Sequence, residues 1–325
     1  MKNLVLGLVK NYSFEQIRPF VASLRSTGYD GDICLMHSDI DQDSLDALRQ
    51  YDVILTPFTM GRINLGFRRV HFCTLLSKIS QSPLNRVYPI YRLYARMVGW
   101  LSDRKPDPAL AKCRLAAATF NVYCVRYPLY YLFLSQNRGK YDKVMLADVR
   151  DVIFQRDPFD FDSPAELNCF LEDDRQVIAD CPYNSNWLRS GFGEETLRAF
   201  GGKLVSCSGV TVGSYDAIMR YLELMVDEMV QLKSHPAGMD QGVHNYLLYM
   251  GKLNGAHVFP NGAAPVLTMG KTVDLPTPID DEGRVLNNDG SVANVLHQYD
   301  RHIELGKLEL DETGGRTRVR SLVTS

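Results

Sequence analysis

The N-terminal part of the chain switches between two hydrophobic periods in an order that few folds accommodate. NLVLGLVK (3–10) is an apolar run of strand length, and SFEQIRPFVASLRSTG repeats its apolar residues at helical spacing before stopping near Gly28. DICLMHS reads as a second strand, QDSLDALRQYD as a second helix and DVILTPF as a third strand. This order predicts a parallel sheet joined by right-handed crossovers, and so an α/β chain. Beyond it, a long helix is predicted over about 112–136, then the strand KVMLADV, further strands at 169–173, 204–212, 257–259 and 292–296, and the helices EETLRAFG, YDAIMRYLELMVDEMVQL and MDQGVHNYLLYM.

With 325 residues, 45% hydrophobic, and a formal charge of −2, the chain can bury the core of one large α/β domain or two smaller ones. The reading adopted is a single domain over 1–305 and a flexible tail over 306–325. The apolar run at the N-terminus ends after Val9 without a cleavage signature, so it reads as a strand and not as a signal peptide. No apolar run is long enough to span a bilayer. The seven cysteines are scattered and never spaced C-x-x-C, which argues against a disulfide framework and against a zinc site and predicts a reducing, cytoplasmic setting.

Two phosphate-binding patterns fail on inspection. Gly270-Lys271-Thr272 lacks the P-loop's first glycine, since position 265 is Pro265, and Gly191-Phe192-Gly193 has no third glycine and does not follow the first strand. In LADVRDVIFQRDPF, by contrast, an apolar run breaks into Asp148 and Asp151 and then resumes. Ligands of open α/β sheets sit beyond the carboxyl ends of the strands, where these acids fall. Half-buried carboxylates require a cationic partner. Two of them can share Mn²⁺ or Mg²⁺, ions that bridge protein acids to a diphosphate. A salt bridge to Arg150 or Arg156 is the structural alternative.

Four stretches, ADVRDVIFQRDPF, CSGVTVGS (207–214), MDQGVHNYLLY (239–249) and VLHQYDRH (295–302), together resemble the GT-A-fold glycosyltransferases, most closely the glycogenin-like retaining galactosyl- and glucosyltransferases. The chain departs from that pattern in carrying D-x-x-D for D-x-D, a Cys-led strand for an Asn-led one, and DQG for DQD; HQYDRH also lacks the lysine-proline ending. The resemblance implies a Rossmann-like, nucleotide-sugar-binding α/β fold with a mixed, mainly parallel central sheet flanked by helices. It implies Asp148, Asp151 and His297 as ligands of Mn²⁺ or Mg²⁺. It also implies Arg126, Asp148, Arg150, Ser208, Gly209 and Arg301 around the donor, with Arg301 in the part of the missing lysine, and Asp240 and Gln241 as catalytic groups at a helix start, Asp240 serving as its N-cap. The implied reaction moves a hexose from a UDP-sugar, or a GDP-sugar, to a hydroxyl of a glycan, glycolipid or other acceptor with retention. Were it inverting, Asp240, Glu172, Asp173 or Asp174 would have to act as base. Readings from other classes are a non-catalytic nucleotide-sugar-binding module and a haloacid-dehalogenase-like phosphotransfer enzyme using Asp148; the second needs an acid spacing that differs here by one residue.

Charge is uneven along the chain. Between Gly61 and Arg126 twelve basic residues face two acids, interleaved with Tyr88, Tyr91, Tyr94 and Trp100 in an insertion at about 62–112. A helix is predicted after Pro89. Such a surface suits an anionic membrane, which would place the protein peripherally at the inner membrane face, an acidic acceptor, or a homodimer contact. No nucleic-acid-binding pattern accompanies it, so no nucleic acid is expected as partner.

Overall fold

The computed structural model describes residues 1–60, 63–64, 69–70, 90–232, 235–271 and 276–302. The N-terminal alternation folds as β1 (Lys2–Lys10), α1 (Phe14–Ser26), β2 (Asp32–Ser38), α2 (Gln42–Arg49) and β3 (Val53–Pro57). Two antiparallel two-residue strands, β4 (Ile63–Asn64) and β5 (Arg69–Val70), precede α3 (Ile90–Ser102), α4 (Pro108–Thr119), α5 (Val122–Gln136) and β6 (Tyr141–Ala147). Then follow β7 (Val152–Phe154), β8 (Leu167–Leu171), α6 (Pro182–Phe192), α7 (Glu194–Phe200), β9 (Ser206–Ser214), α8 (Tyr215–Gln231) and α9 (Met239–Tyr249). The last strands are β10 (His257–Phe259), β11 (Val266–Thr268) and β12 (Val295–His297).

The main sheet has the order β10-β8-β9-β6-β1-β2-β3. Four of its six pairings are parallel, and β9 runs antiparallel to both β6 and β8, which makes the sheet mixed but mainly parallel, as expected. A small second sheet, β11-β12-β7, lies beside it. Alternate residues of a strand face opposite layers. Leu4, Leu6, Val144 and Leu146 pack under helices α3, α4, α5, α8 and α9. Val5, Val9, Met145 and Ala147 pack on the other side, against α1, Leu48 of α2, and the small sheet through Phe154, Val266 and Val295.

The single helix expected over 112–136 is two. Phe120 is extended (φ −71°, ψ 154°), and Asn121 restarts the helix by accepting the N–H groups of Tyr123 and Cys124. Expected strand ends also move by a few residues: 169–173 becomes β8, 204–212 becomes β9 and 292–296 becomes β12. The helix α6 and the short strands β7 and β11 have too little period to announce themselves. The helix expected after Pro89 is α3. Residues 62, 65–68 and 71–89 of the insertion and the tail at 306–325 lie outside the described residues. Among the described residues no helix is long and apolar enough to cross a membrane.

Candidate functional site

Three chain segments meet at the carboxyl end of β6. Asp148 follows the strand directly, and its N–H donates to the Gly209 carbonyl (2.7 Å), adding one rung to the β6–β9 ladder. Asp151 lies in the turn into β7, where its carbonyl accepts from the Gln298 N–H (2.6 Å). His297 ends β12 opposite Val152, and Gln298 then takes φ 60°, uncommon for a residue with a Cβ, which turns the chain sharply away. One ligand atom from each of Asp148, Asp151 and His297 therefore lies within 4.8 Å of the others.

The imidazole is 1% exposed. Its Nδ1 faces Cys207 Sγ at 3.4 Å and Thr268 Oγ1 at 3.5 Å. Its Nε2 is buried without a hydrogen-bond partner among the described residues and lies 3.9 Å from Asp148 Oδ2 and 3.9 Å from Asp151 Oδ1. A buried nitrogen left unsatisfied is costly, so its persistence calls for an occupant. Burial pushes the Asp151 carboxyl up, His297 lowers it, and Asp148 raises it further. Two carboxylates and an imidazole nitrogen facing one point form a donor set that fits Mn²⁺ or Mg²⁺. Bonds of about 2.1 Å put octahedral donors about 3–4.2 Å apart, a span that includes the 3.9 Å separations. With Nε2 as ligand, Nδ1 must carry the proton and donate toward Cys207 and Thr268, whose positions suit that tautomer.

Gly209 leaves the space. A Cβ there would stand 2.6 Å from His297 Nε2 and 2.8 Å from Asp148 Oδ2, so its role here is to keep the centre of the triad open. Gly209→Ala is expected to weaken Mn²⁺ binding about 10–100-fold, the size usual when groups that orient metal ligands are disturbed. Calorimetric titration of the metal-free protein measures this, and unchanged affinity would mean that β9 yields at this point.

Arg126 of α5 joins the acids from the other side. One of its N–H groups donates to Asp148 Oδ1, while Nη2 donates to Asp240 Oδ2 (2.5 Å), Tyr127 Oη (3.1 Å) and the Ser208 carbonyl (3.4 Å). Burial alone would lower the guanidinium's pKa, but Asp148 and the groups around it hold it well above its usual value, so it stays cationic. Burial pushes Asp240 up, Arg126 lowers it and the Asp148 charge raises it again, so its carboxyl stays above the usual range. Arg126 thus ties Asp148 to Asp240. The salt bridges considered for the acid pair form elsewhere: Arg150 pairs with Asp300 (3.0 Å) and Arg156 with Asp160 (2.8 Å).

The N-cap of α9 is Gly238 in the left-handed region, not Asp240, which sits inside the first turn facing Arg126. Gln241 donates from Nε2 to Glu172 Oε1 (3.0 Å) and Asn184 Oδ1 (3.2 Å), and its Oε1 faces Cys207 Sγ at 3.6 Å. These contacts fix which way the amide points. The start of α9 is in turn anchored to β9: Asn245 accepts from the Ser206 N–H (2.9 Å) and donates to the carbonyls of Ser206 (2.8 Å) and Gln241 (2.9 Å). His244 bridges Ser206 Oγ (2.9 Å) and Tyr221 Oη (2.8 Å), and burial pushes it down to about 3, so it is neutral. Ser208 is 7% exposed beside this network, and Arg301 is exposed in the single turn after β12, making no ion pair among the described residues. Asp173 is tied to Arg175 by 2.6–3.0 Å bonds and held below its usual range by it. Asn184 and Tyr127 carry no mark in the sequence; both sit in helices with no polar pattern to single them out.

No protein-family model matches the chain, and no curated protein matches it. Among solved structures, the chain is similar to an active-site mutant of LgtC at 10% identity, over 90% of this chain and 86% of that one, with a TM-score of 0.46. It is similar to the galactosyltransferase LgtC in complex with donor and acceptor sugar analogs at 13% identity, over 90% and 86%, with a TM-score of 0.44. It is also similar to core-mannan synthase A from Aspergillus fumigatus in its Mn/GDP form at 11% identity, over 80% and 73%, with a TM-score of 0.39.

Proposed function

We propose that the chain is a GT-A-fold, metal-dependent glycosyltransferase that moves a hexose from a nucleotide diphosphate sugar to an acceptor hydroxyl with retention. The observation that carries this reading is the triad of Asp148, Asp151 and His297 at the carboxyl ends of β6 and β12, open at its centre because residue 209 is glycine. The imidazole favours Mn²⁺ over Mg²⁺. When bound, the ion neutralises charge developing on the leaving diphosphate.

The protein's own groups divide the remaining work. Arg301, exposed and unpaired among the described residues, supplies a forked donor to the diphosphate. Gln241, its amide held by Glu172 and Asn184, presents a fixed dipole toward the sugar as positive charge grows on the anomeric carbon. Arg126 holds Asp240 and Asp148 in place between α5, β6 and α9. In same-face attack the acceptor hydroxyl passes its proton to the departing phosphate oxygen, so no carboxylate base is required.

Thermal shift with UDP-, GDP- and dTDP-sugars, with and without Mn²⁺, identifies the donor, because a ligand that binds only the folded chain raises the melting temperature. Incubation with that donor should release the nucleoside diphosphate, EDTA should stop the release, and proton NMR of the first product should show the donor's anomeric configuration. Turnover indifferent to EDTA overturns the metal-dependent reading, and donor binding without turnover makes the chain a binding module. Inversion would pass the base role to Glu172, which adjoins Gln241, since Asp173 is occupied by Arg175.

A further inference from the structure

Helix α3 carries apolar side chains on two faces. Tyr94 and Val98 are 3% and 1% exposed and pack into the core, whereas Leu93, Met97 and Trp100 are 68%, 48% and 57% exposed. Spacings of four and three residues put the latter on a single stripe along the helix, away from the buried one. Arg104 lies on the same line, its guanidinium 3.8 Å from the centre of the Trp100 ring and donating to the Trp100 carbonyl (2.9 Å). Exposed Arg92 and Arg96 flank the stripe. Among the described residues none of Arg92, Arg96, Arg104 or Lys105 pairs with a carboxylate, and the nearby Asp107 is engaged in capping α4 through the Leu110 N–H.

We propose that α3 docks this protein on an anionic lipid bilayer, with Leu93, Met97 and Trp100 entering the interface and the arginines meeting lipid phosphates. Three large apolar groups in one exposed stripe are unusual on a water-facing helix, and burying them together is what an interfacial helix does. An aromatic ring stacked with arginine belongs at headgroup level, where one side is apolar and the other charged. A second copy of the same face would bring arginines against arginines. The proposal stands independently of the transfer reaction, because it requires no donor and no metal.

The test is co-sedimentation of the full chain with phosphatidylcholine vesicles and with vesicles containing phosphatidylglycerol, at low and moderate ionic strength. Two triple variants accompany it: Leu93→Gln, Met97→Gln, Trp100→Gln; and Arg92→Gln, Arg96→Gln, Arg104→Gln. All these positions are exposed and glutamine is a good helix former, so circular dichroism melts should match the wild type. The protein should partition onto the anionic vesicles alone, less so as salt rises. Removing three arginines should lower partitioning about a hundredfold, at about fivefold per charge, and the apolar triple variant should lose it too. Absence of binding at low salt, equal binding to neutral vesicles, or full binding by either folded variant would overturn the proposal. So would a dimer in ultracentrifugation that the apolar variant dissociates, which would assign the stripe to a second copy.

Discussion

Asp151→Asn is expected to lower donor turnover in saturating Mn²⁺ by at least about 10³-fold, since a metal held at a reacting diphosphate contributes several kcal/mol and each 1.36 kcal/mol is tenfold in rate. The same change should leave the metal-free protein as stable as before or slightly more so. Burial and the neighbouring Asp148 raise the Asp151 pKa in the folded state. A carboxyl raised on folding adds nothing to stability below its unfolded pKa and destabilises the fold above its folded pKa, so at pH 7 the neutral amide removes a penalty. Two measurements separate the roles: the wild type should gain melting temperature on adding Mn²⁺, and the variant should lose that gain while its metal-free melting temperature does not fall. Near-normal turnover by Asp151→Asn would remove this acid from the site.

Arg126→Met should be the most destabilising single change at the site. It keeps the apolar stem but deletes the charge between Asp148 and Asp240, and breaking a buried ion pair typically costs about 3–5 kcal/mol. Asp148 is 35% exposed, so solvent relieves part of this and the lower end applies. An unfolding entropy of about 2.1 cal/mol/K per residue then gives a fall of about 4–5 °C in melting temperature at pH 7. The deficit should depend on pH. Asp240 is already pushed up by burial, and without Arg126 it rises further, so its destabilising charge is present above the folded pKa and disappears as pH falls through it. The gap between variant and wild type should therefore narrow from pH 7 toward pH 5, and Arg126→Lys should close part of it. A gap constant over that range would mean that Arg126 acts through packing alone.

The parts of this protein legible in its sequence are those governed by neighbours along the chain. Period-two and period-3.6 patterns place β1, α1, β2, α2 and β3, because a residue's face is set by the residues one to four positions away. The break at Asp148 and Asp151 marks a strand end for the same local reason. Where signals conflict locally the reading fails: Phe120 and Asn121 interrupt a run rich enough in helix formers to conceal the join.

The site itself is decided by distant pairings. His297 is marked in the sequence only by a family resemblance; what brings it to the acids is the antiparallel register of β12 on β7 and the Gln298 N–H on the Asp151 carbonyl. Arg150 and Arg156 are the nearest cations in sequence to the acid pair, yet they bind Asp300 and Asp160, while Arg126 from α5 takes Asp148. Gly209 looks like any small residue in a buried strand until His297 Nε2 stands 2.6 Å from where its Cβ would be. Sequence alone determined the opening order of strands and helices and where two acids end a later strand, because those depend on local steric and hydrophobic period. Which cation meets which acid, and what space a missing side chain leaves, only the tertiary structure decided, because charge pairing and close packing depend on distance in space and long-range register carries no mark in the local pattern.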